Sequence, residues 1–338
     1  MMKPKGVRVQ RLKEVVAQTK KYITDRREGN VLSLSTKFKK LNKMTMNGFE
    51  ANTIACFSAL SGFGKSTISK EIRDSLPDIP MVRLCFNFEM LAVHQLTRTA
   101  SSSKKMSLKK MYSLDEKLTD RETKMLFDHF DEMLDKYGDD FLFVETMCNY
   151  QQIARLIMKT YKEECKPTGK FLYVEIDHML LTLGKEGESE KGKIDALMLK
   201  LLECKKDISS DGGSIFVATL SQMNREIRSE KRMTNPDLHR PDTSCLFGAS
   251  TIEFACDYIV FSHIPGRLGL KSYTDDKLPV SYKGIDMITG KPKEKYIVYF
   301  ELVKNRSGAP DQRFALFNNL EIFQLEEMSK EELLTLSI

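Results

Sequence analysis

The sequence lacks the features that mark membrane proteins and exported proteins. Its longest apolar runs, such as FLFV and YIVF, have the length of a strand, whereas a membrane-spanning helix needs roughly 20 apolar residues. Its N-terminus is too basic and polar for a signal peptide. These absences predict a protein with no membrane partner and no export signal.

Paired cysteines are absent as well. The seven Cys residues are scattered, form no CxxC pair, and in several cases lie inside apolar runs. A reduced thiol in such a position packs as a small hydrophobic group. The pattern therefore predicts a reducing, cytoplasmic compartment and no structural zinc site.

Internal repeats and low-complexity linkers are also missing. The length of 338 residues favours about two domains, or one α/β domain with additions. With 41% hydrophobic and 30% charged residues, the composition is that of a globular chain with a sizeable core, and not that of a disordered chain.

Charge is distributed unevenly along the chain. The net charge of +6 and the pI of about 8.7 permit a polyanionic partner without requiring one. Residues 1–50 carry thirteen Lys or Arg against four Asp or Glu. Two interpretations of this basic segment stay open, a solvated arm and a segment that contacts phosphate groups.

The basic segment contains a predicted helix. Apolar residues recur at helical spacing between residues 8 and 27, with Lys and Arg between them, and GN at 29–30 ends the pattern. The apolar stripe of such an amphipathic helix must be buried against another surface. We therefore predict that residues 1–45 form a basic N-terminal arm and linker helix.

Strand-like and helical patterns alternate from residue 53 onward. Near-continuous apolar strands separated by helices indicate an α/β fold with a mostly parallel sheet covered on both faces. The last strands are joined by turn-rich segments such as TGKP, which favours antiparallel strands at one edge. The predicted strands lie at 53–58, 81–86, 141–145, 171–176, 214–219, 258–263 and 296–302, and the predicted helices lie near 65–75, 89–100, 119–136, 150–164 and 193–207.

The C-terminal segment has the pattern of a capped helix. In SKEELLTL, Ser329 and Glu332 form a capping box. The predicted organisation is thus an α/β domain over residues 46–325, followed by a short C-terminal helix within 326–338.

The stretch SALSGFGKST, residues 58–67, resembles a phosphate-binding loop, or P-loop. In the pattern GxxxxGK[ST], the glycines let backbone N–H groups converge on phosphate oxygens, the Lys reaches the β and γ phosphates, and the hydroxyl binds Mg²⁺. Ala59 stands where the strict pattern has Gly, which is harmless if φ is negative there. A strand precedes the loop and a helix follows it, as the motif requires. The predicted nucleotide and Mg²⁺ site consists of Ser61, Gly62, Phe63, Gly64, Lys65, Ser66 and Thr67.

A second Mg²⁺ ligand is expected at the end of a core strand. FLYVEIDH places Asp177 there, and Glu175, two residues earlier, points to the same face of the strand. With a P-loop upstream, we interpret Asp177 as the residue that holds Mg²⁺ through water. The alternative is that Asp177 is only a turn residue.

Hydrolysis also needs a group that orients and deprotonates water. Glu89 in CFNFEM follows the strand at 81–86, which we expect to neighbour the P-loop strand. Ligands of open α/β sheets gather at the carboxyl ends of such strands. By spacing alone, the better interpretation of Glu89 is an exposed acid at a helix N-terminus.

In combination, these stretches resemble the DnaB-type replicative DNA helicases, whose motor is a RecA-like ATPase. The resemblance runs in the family's order from about residue 10 to residue 318, and the family tolerates Ala at the first position of the P-loop. It implies a RecA-like P-loop fold that hydrolyses ATP with Mg²⁺. The matching stretches are LSLSTKFKKLNKMT, GFEANTI, ALSGFGKST, FNFEM, YVEIDHML, IFVATLSQMNRE, IEFACDYIVF and LVKNRSG.

The resemblance also assigns roles to single residues. It implies that Glu89 activates water, that Asp177 holds Mg²⁺, and that Gln222 senses the γ phosphate and communicates with the nucleic-acid loops. Lys304 and Arg306 resemble a finger pair that reaches the nucleotide of the neighbouring subunit. Such use in trans requires an oligomer. The family forms hexameric rings in which the linker helix packs on the adjacent protomer.

The sequence departs from the family pattern in two respects. DnaB proteins usually carry an additional N-terminal helical domain, which helps to form the ring and receives primase, whereas this sequence starts at the linker helix. In the DNA-binding region, the family pattern resembles SDLRESGAIE and this chain reads SCLFGASTIE, so that Phe247 and Gly248 replace Arg and Glu. A phosphate contact is either lost there or replaced by backbone N–H groups and nearby cations.

Two further segments are candidates for DNA contact, the polar loop LGKEGESEKGK at 183–193 and the basic stretch NREIRSEKR. The alternative for both is a plain surface connection. Besides Phe247 and Gly248, the candidate DNA-binding residues are Lys185, Lys191, Arg225, Arg228, Lys231 and Arg232.

The sequence therefore predicts a ring-shaped ATPase that translocates 5′ to 3′ on single-stranded DNA and unwinds duplex DNA at the replication fork. The short architecture suggests a phage or mobile-element replication protein in a bacterial or phage-infected cell, with a helicase loader and a primase as further partners. Two alternatives stay open: a strand-exchange or KaiC-like ATPase that does not unwind DNA, and a nucleotide-gated structural or loader-like assembly protein.

Overall fold

The structure, a computed structural model, describes residues 9–336. Residues 1–8 of the predicted arm and residues 337–338 of the predicted C-terminal segment lie outside this range. Among the described residues, no helix is long and apolar enough to cross a membrane. All seven Cys residues are buried free thiols, as the sequence predicts.

A nine-stranded sheet forms the centre of the described chain. Its strands are β3 Thr53–Ala59, β4 Met81–Asn87, β5 Phe141–Val144, β6 Phe171–Asp177, β7 Ile215–Gln222, β8 Tyr258–His263, β11 Val298–Asn305, β12 Gln312–Asn319 and β13 Gln324–Glu327. Their order across the sheet is β13-β12-β11-β8-β3-β7-β6-β4-β5. The six strands from β8 to β5 are parallel, and β11, β12 and β13 are antiparallel, which confirms the predicted parallel sheet with an antiparallel edge.

The central strands are buried because helices cover the sheet. Every residue of β4 and β6 is buried, as expected for apolar strands between two helical layers. The helices are α1 Leu12–Glu28, α2 Lys39–Met44, α3 Lys65–Asp74, α4 Ala92–Lys104, α5 Leu108–Tyr112, α6 Asp120–Tyr137, α7 Tyr150–Thr160, α8 Glu190–Ser210, α9 Glu230–Thr234, α10 Ala249–Ala255 and α11 Lys330–Thr335.

Helix ends follow the capping rules. The predicted capping box at the start of α11 is present, with Ser329 accepting from the Glu332 N–H and Glu332 accepting from the Ser329 N–H. Thr119 and Glu122 form the same arrangement ahead of α6. Such caps satisfy backbone donors that a helix N-terminus leaves free.

Two small antiparallel pairs lie outside the main sheet. The first joins β1 Ser33–Leu34 to β2 Phe49–Glu50, and the second is a hairpin of β9 Ser281–Ile285 and β10 Pro292–Tyr296. Phe49 is fully buried and its ring contacts the rings of Phe57, Phe216 and Tyr258, which ties the segment before β3 to the core. Removing such a ring typically destabilises a fold by about 3–5 kcal/mol.

Helix α1 has no such packing. None of its residues is buried, and its apolar stripe, which includes Val15, Val16 and Ile23, is exposed. One end of the helix is held by Tyr22 and Arg26, which bond to Glu50. The predicted amphipathic helix is therefore present, and its apolar stripe has no partner within the described chain.

The strand directions define two edges of the sheet. We call the edge at the carboxyl ends of the parallel strands the carboxyl edge, and the opposite one the amino edge. Because β11 runs antiparallel to β8, its last residues lie at the amino edge, where Asn305 pairs with Tyr258. The P-loop, which follows β3, lies at the carboxyl edge.

Candidate functional site

The P-loop has the backbone that phosphate binding requires. Gly62 and Gly64 have φ of 78° and 81°, in the left-handed region that favours glycine. A Cβ on Gly64 would also lie 3.0 Å from Leu320 Cδ2. Ala59 is the last residue of β3 and is not among the residues with positive φ, so Ala replaces Gly there without strain.

Lys65 begins α3 and lies between two carboxylates. Its Nζ is 3.1 Å from Glu89 Oε2 and 3.7 Å from Asp177 Oδ1. The N-terminus of α3 has no side-chain cap, so its backbone N–H groups and the positive end of the helix dipole are available to an anion. The loop, the helix end and the lysine thus form one surface of N–H donors, flanked by the carboxylates of Glu89 and Asp177.

Ser66 and Asp177 supply oxygen ligands next to this surface. Ser66 Oγ is 3.4 Å from Asp177 Oδ2, and Asp177 Oδ1 is buried without a hydrogen-bond partner. Burial raises the pKa of Asp177 to about 6, against the opposing effect of Lys65. A hydroxyl and a carboxylate with an unpartnered oxygen fit Mg²⁺, which keeps water and phosphate oxygens as its other ligands. Within residues 9–336, no cluster of three or more His, Cys, Asp or Glu forms an all-protein metal site.

Glu175 lies on β6 together with Asp177, but its carboxylate forms hydrogen bonds within the core. It is buried and accepts hydrogen bonds from Arg73 Nη1 at 3.2 Å and from the Tyr173 hydroxyl at 2.9 Å. These contacts place Glu175 between α3 and the sheet, beneath the site.

Glu89 reaches the site by a route that differs from the expectation. The sequence predicted that its strand neighbours the P-loop strand, and this is wrong: β4 pairs with β5 and β6, whereas β3 pairs with β7 and β8. The chain after β4 turns over the end of β6, where the Glu89 N–H donates to the Asp177 carbonyl at 3.3 Å. The Glu89 side chain is 51% exposed, and its Oε2 lies 3.8 Å from His178 Nε2. Burial, aided by Lys65, lowers the pKa of His178 to about 4.

Gln222 ends β7 directly beside the P-loop strand. It pairs with Ala59 in the sheet register, and the next N–H, that of Met223, donates to the Ala59 carbonyl at 3.1 Å. It also lines a cavity that lies over the P-loop. The residue therefore stands where the cavity ends and the loop after β7 begins.

A cavity of about 400 Å³ lies over the P-loop, and sequence reasoning missed part of its lining. Arg267, in the turn after β8, donates to the Gly62 carbonyl and lies over the Phe63 ring. Arg98 lies 5.0 Å from the centre of the Phe323 ring. Only the rule that ligands gather at the carboxyl edge could have drawn attention to Arg267. The lining residues that the sequence analysis did not name are Leu60, Arg98, His178, Arg267, Leu320 and Phe323.

The predicted finger pair lies at the amino edge, away from this cavity. Arg306 Nη1 donates to Asp257 Oδ1 at 2.7 Å, and Lys304 Nζ donates to the Glu253 carbonyl. Burial and the neighbouring Arg306 lower the pKa of Lys304. The Asp257 N–H in turn donates to the Ile54 carbonyl at the start of β3.

The finger pair and the P-loop of one chain are therefore separated by the length of β3. From Ile54 to Ala59 the strand advances five residues, about 17 Å at roughly 3.3 Å per residue. An extended Arg side chain does not bridge that distance through a packed sheet. Within one chain, the structure does not bring Lys304 and Arg306 together with the other site residues.

The two candidate DNA loops lie at the carboxyl edge, and the second of them contacts α8, the helix that follows the first. One follows β6 and leads into α8, and the other follows β7 and leads into α10. Met223 and Leu246 form a β-bridge, and a Cβ on Gly248 would lie 3.4 Å from the Ile194 side chain of α8. Gly248, with φ of 74°, directly precedes α10, and Phe247 is half-buried against the core. The exposed candidates are Lys185, Arg225 and Arg228 in these loops, Lys231 in α9, and Lys191 in the first turn of α8, which begins at Glu190 within the predicted loop.

Arg232 differs from these exposed cations. It is buried, and its Nη1 donates to the carbonyls of Leu238 and Arg240. Its Nη2 donates to the side chains of Asp242 and Ser244. Arg232 therefore holds the loop after β7 in shape.

The P-loop at the end of β3, the acidic residue at the end of β6 and the mostly parallel sheet are the features of the RecA-like P-loop NTPase fold. The family model of the DnaB-like helicase C terminal domain matches residues 33–332. The chain therefore belongs to the DnaB-like helicase family, as its sequence resemblance indicated.

Solved structures support the same fold. The chain is similar to a structure described as an ATPase domain, with a TM-score of 0.73, 18% identity, and coverage of 95% of this chain and 100% of that one. It is also similar to a DnaB-like replicative helicase described with its interactions with primase, with a TM-score of 0.70, 18% identity, and coverage of 95% of this chain and 68% of that one. A search of curated proteins finds no match.

Proposed function

We propose that this chain is an ATP-dependent replicative DNA helicase that assembles into a ring, translocates on single-stranded DNA and unwinds duplex DNA. The observation that carries the proposal is the division of the site between the two edges of the sheet. The carboxyl edge holds the P-loop and its acids, whereas the finger pair lies about 17 Å away at the amino edge. Two copies placed edge to edge complete the site.

The chain's own residues divide the chemistry as follows. The backbone of the P-loop and Lys65 bind the phosphates of ATP. Ser66 and Asp177 hold Mg²⁺, which supplies charge neutralisation to the transferred phosphoryl group. Glu89 is exposed beside Lys65 and orients and deprotonates the attacking water.

The finger pair acts on the nucleotide of the adjacent copy. Arg306 is 54% exposed, so its free guanidinium donors face outward toward a neighbour. A cation that arrives from a second subunit stabilises the charge on the phosphoryl group and ties hydrolysis to assembly.

Helix α1 provides an assembly contact. Its exposed apolar stripe has no partner within the described chain, and a groove of about 690 Å³ between α7 and α8 is lined by Ala154, Met158 and Cys204 among others. By family resemblance, α1 packs on the adjacent protomer of a hexamer. Burying an apolar side chain there contributes roughly 1.5–3 kcal/mol.

The loops at the carboxyl edge bind the DNA backbone. Their exposed cations contact phosphates, so we expect binding that tolerates sequence and weakens strongly with salt. Gln222 joins the cavity to the loop after β7, and we assign to it the transmission between nucleotide and DNA. Gly248 offers backbone N–H groups where the family pattern has charged side chains.

The direction of movement, the biological role and the partners are proposed from the family resemblance. We infer movement from 5′ to 3′ and a role in phage or mobile-element replication, in the cytoplasm of the bacterial or infected cell. One structural relative is described with its interactions with primase. A primase and a helicase loader are the corresponding partners that we propose here.

Unwinding of a forked DNA tests the proposal. With ATP and Mg²⁺, the wild type releases the annealed strand, and the matched variant Lys65→Ala does not. ATP hydrolysis without strand release would replace the proposal with a RecA-like or KaiC-like ATPase. Nucleotide-dependent assembly without hydrolysis would point instead to a structural or loader-like protein.

A further inference from the structure

Asp257 is a buried carboxylate that the sequence analysis did not single out. It lies between α10 and β8 at the amino edge and is 3% exposed. Its Oδ2 accepts from the Ile54 N–H at 2.8 Å and from Lys205 Nζ at 2.9 Å. Its Oδ1 accepts from Arg306 Nη1 at 2.7 Å. Oδ2 therefore joins Asp257 to β3 and α8, and Oδ1 binds the arginine of the finger pair.

The hydrogen bonds of Arg306 hold its side chain in one orientation. Its backbone N–H donates to the Asp257 carbonyl at 2.9 Å, and its Nη2 donates to the Phe254 carbonyl at 3.4 Å. The Asp257 carboxylate is the one charged partner of the guanidinium within the described chain. A long side chain that is 54% exposed would otherwise sample many rotamers. A guanidinium has five N–H donors, so the remaining donors stay available to a phosphate.

We propose that Asp257 is a positioning residue for Arg306, which it holds in the direction required to reach the nucleotide of the adjacent copy. This inference rests on the proposed function. Pre-organisation of this kind raises the rate, because a misplacement of about 1 Å in a reacting group can lower turnover by about a hundred-fold.

The same contacts connect the finger pair to a DNA loop. The Lys304 and Arg306 side chains donate to the carbonyls of Glu253 and Phe254, in the last turn of α10. Helix α10 begins directly after Gly248, where the loop after β7 ends. Its seven residues span about 10 Å. A shift of this loop on binding DNA would reach the α10 carbonyls that hold the finger pair, and we expect Asp257, which holds the same arginine, to be needed for any stimulation of hydrolysis by DNA.

Asp257→Asn tests the proposal, because the amide keeps the size of the side chain and removes its charge. We expect kcat for ATP to fall roughly ten- to a hundred-fold, with KM changed less than about two-fold and with DNA stimulation lost. Glu301→Gln is the matched control. It changes another buried carboxylate, which binds Arg240 Nη2 at 2.7 Å, and it leaves kcat within about two-fold.

Mixed oligomers separate positioning from a general loss of structure. An Asp257→Asn protomer has an intact P-loop, and a Glu89→Ala protomer has an intact finger pair. Mixing the two should restore turnover at interfaces where the finger pair of Glu89→Ala meets the P-loop of Asp257→Asn. A damaged fold in Asp257→Asn would not be rescued in this way, and that result would overturn the inference.

Arg306→Ala distinguishes failure of this inference from failure of the proposed function. If Arg306→Ala is defective while Asp257→Asn hydrolyses at the full rate, the positioning role alone is wrong. If Arg306→Ala itself hydrolyses at the full rate, the shared site of the proposed function is wrong. Combining Asp257→Asn with Arg306→Ala should lower kcat no further than Arg306→Ala alone.

Discussion

The two edges of the sheet differ in how completely their charged groups are paired. At the carboxyl edge, Asp177 keeps a buried oxygen without a hydrogen-bond partner, 3.7 Å from Lys65 Nζ, and Glu89 is half exposed beside a cavity. At the amino edge, both oxygens of Asp257 accept hydrogen bonds: Oδ2 binds the Ile54 N–H and Lys205, and Oδ1 binds Arg306. The carboxyl edge thus has room and an unused acceptor for a ligand, whereas the charged groups of the amino edge are paired and include a half-exposed cation.

One chain therefore contains all the residues that we assign to the site, but they lie at opposite edges of its sheet and do not come together within that chain. An unpartnered buried oxygen is unfavourable unless a ligand or an ion satisfies it. A positioned cation is of use only where negative charge develops. The edge-to-edge assembly that we propose would meet both requirements, since it would bring the cation of one copy to the phosphates bound by the next.

The largest expected effects come from removing one cation at each edge. Lys65→Ala and Arg306→Ala should each lower ATP hydrolysis by about a thousand-fold or more. They should differ in nucleotide affinity, because Lys65 belongs to the binding surface and Arg306 is supplied by another copy. Titration with a fluorescent ATP analogue should show at least about ten-fold weaker binding for Lys65→Ala and little change for Arg306→Ala. Equal losses of affinity would contradict the division of the site.

A smaller effect is expected on the pH dependence of the unfolding free energy, through a buried histidine at the carboxyl edge. His263 ends β8, is fully buried, and has no hydrogen-bond partner at either ring nitrogen. Burial lowers its pKa to about 3, and His239 and Arg232 act in the same direction, while the Tyr273 ring lies 5.4 Å away. Because the unfolded chain binds the proton first, His263 lowers stability as the pH falls from about 6.5 toward 3.

Urea unfolding at pH 7 and pH 5 measures this contribution. The wild type should lose about 2 kcal/mol of unfolding free energy through His263 over that interval, and His263→Phe should lose correspondingly less. His94→Gln, which changes an exposed histidine, is the control and should match the wild type. An unchanged pH dependence in His263→Phe would show that His263 does not carry the effect.

The smallest effects are expected in the DNA loops. Arg225→Ala and Arg228→Ala should each weaken binding of single-stranded DNA a few-fold, and each should reduce the slope of log K against log salt by about 0.7. Arg232→Ala is the structural counterpart, because Arg232 is buried in the loop. It should lower the midpoint of thermal unfolding, and it should change the salt slope of DNA binding less than Arg225→Ala or Arg228→Ala does. An unchanged slope in Arg225→Ala and Arg228→Ala would exclude these loops as the DNA contact.

The comparison of the edges also indicates what the sequence could predict. Continuous apolar runs define the central strands to within a few residues, and the P-loop pattern defines the turn between β3 and α3. The exposed hairpin of β9 and β10 was missed, because SYKGI and PKEKY carry few apolar residues. The mostly buried strand β12 was missed as well, so local patterns identified the central parallel strands and missed both exposed and buried elements near the C-terminus.

Features that depend on the tertiary structure could not be predicted from local sequence patterns. The position of β4 in the sheet depends on long crossovers, so the expected neighbour of the P-loop strand was wrong. Arg232 looks like its exposed neighbours in NREIRSEKR, and its burial depends on hydrogen bonds to residues six to twelve positions later, from Leu238 to Ser244. Arg267 and Phe323 reach the cavity from segments about 200 residues or more beyond the P-loop. Such residues follow from the fold and carry no motif of their own.

The most direct test of the shared site mixes two inactive variants. Arg306→Ala supplies an intact P-loop, and Glu89→Ala supplies an intact finger pair. If each site is built from two chains, mixing the purified proteins should restore ATP hydrolysis at interfaces that combine the intact halves, with the rate highest near equal proportions. A mixture that stays inactive at every ratio, although the two variants assemble together, would contradict the account.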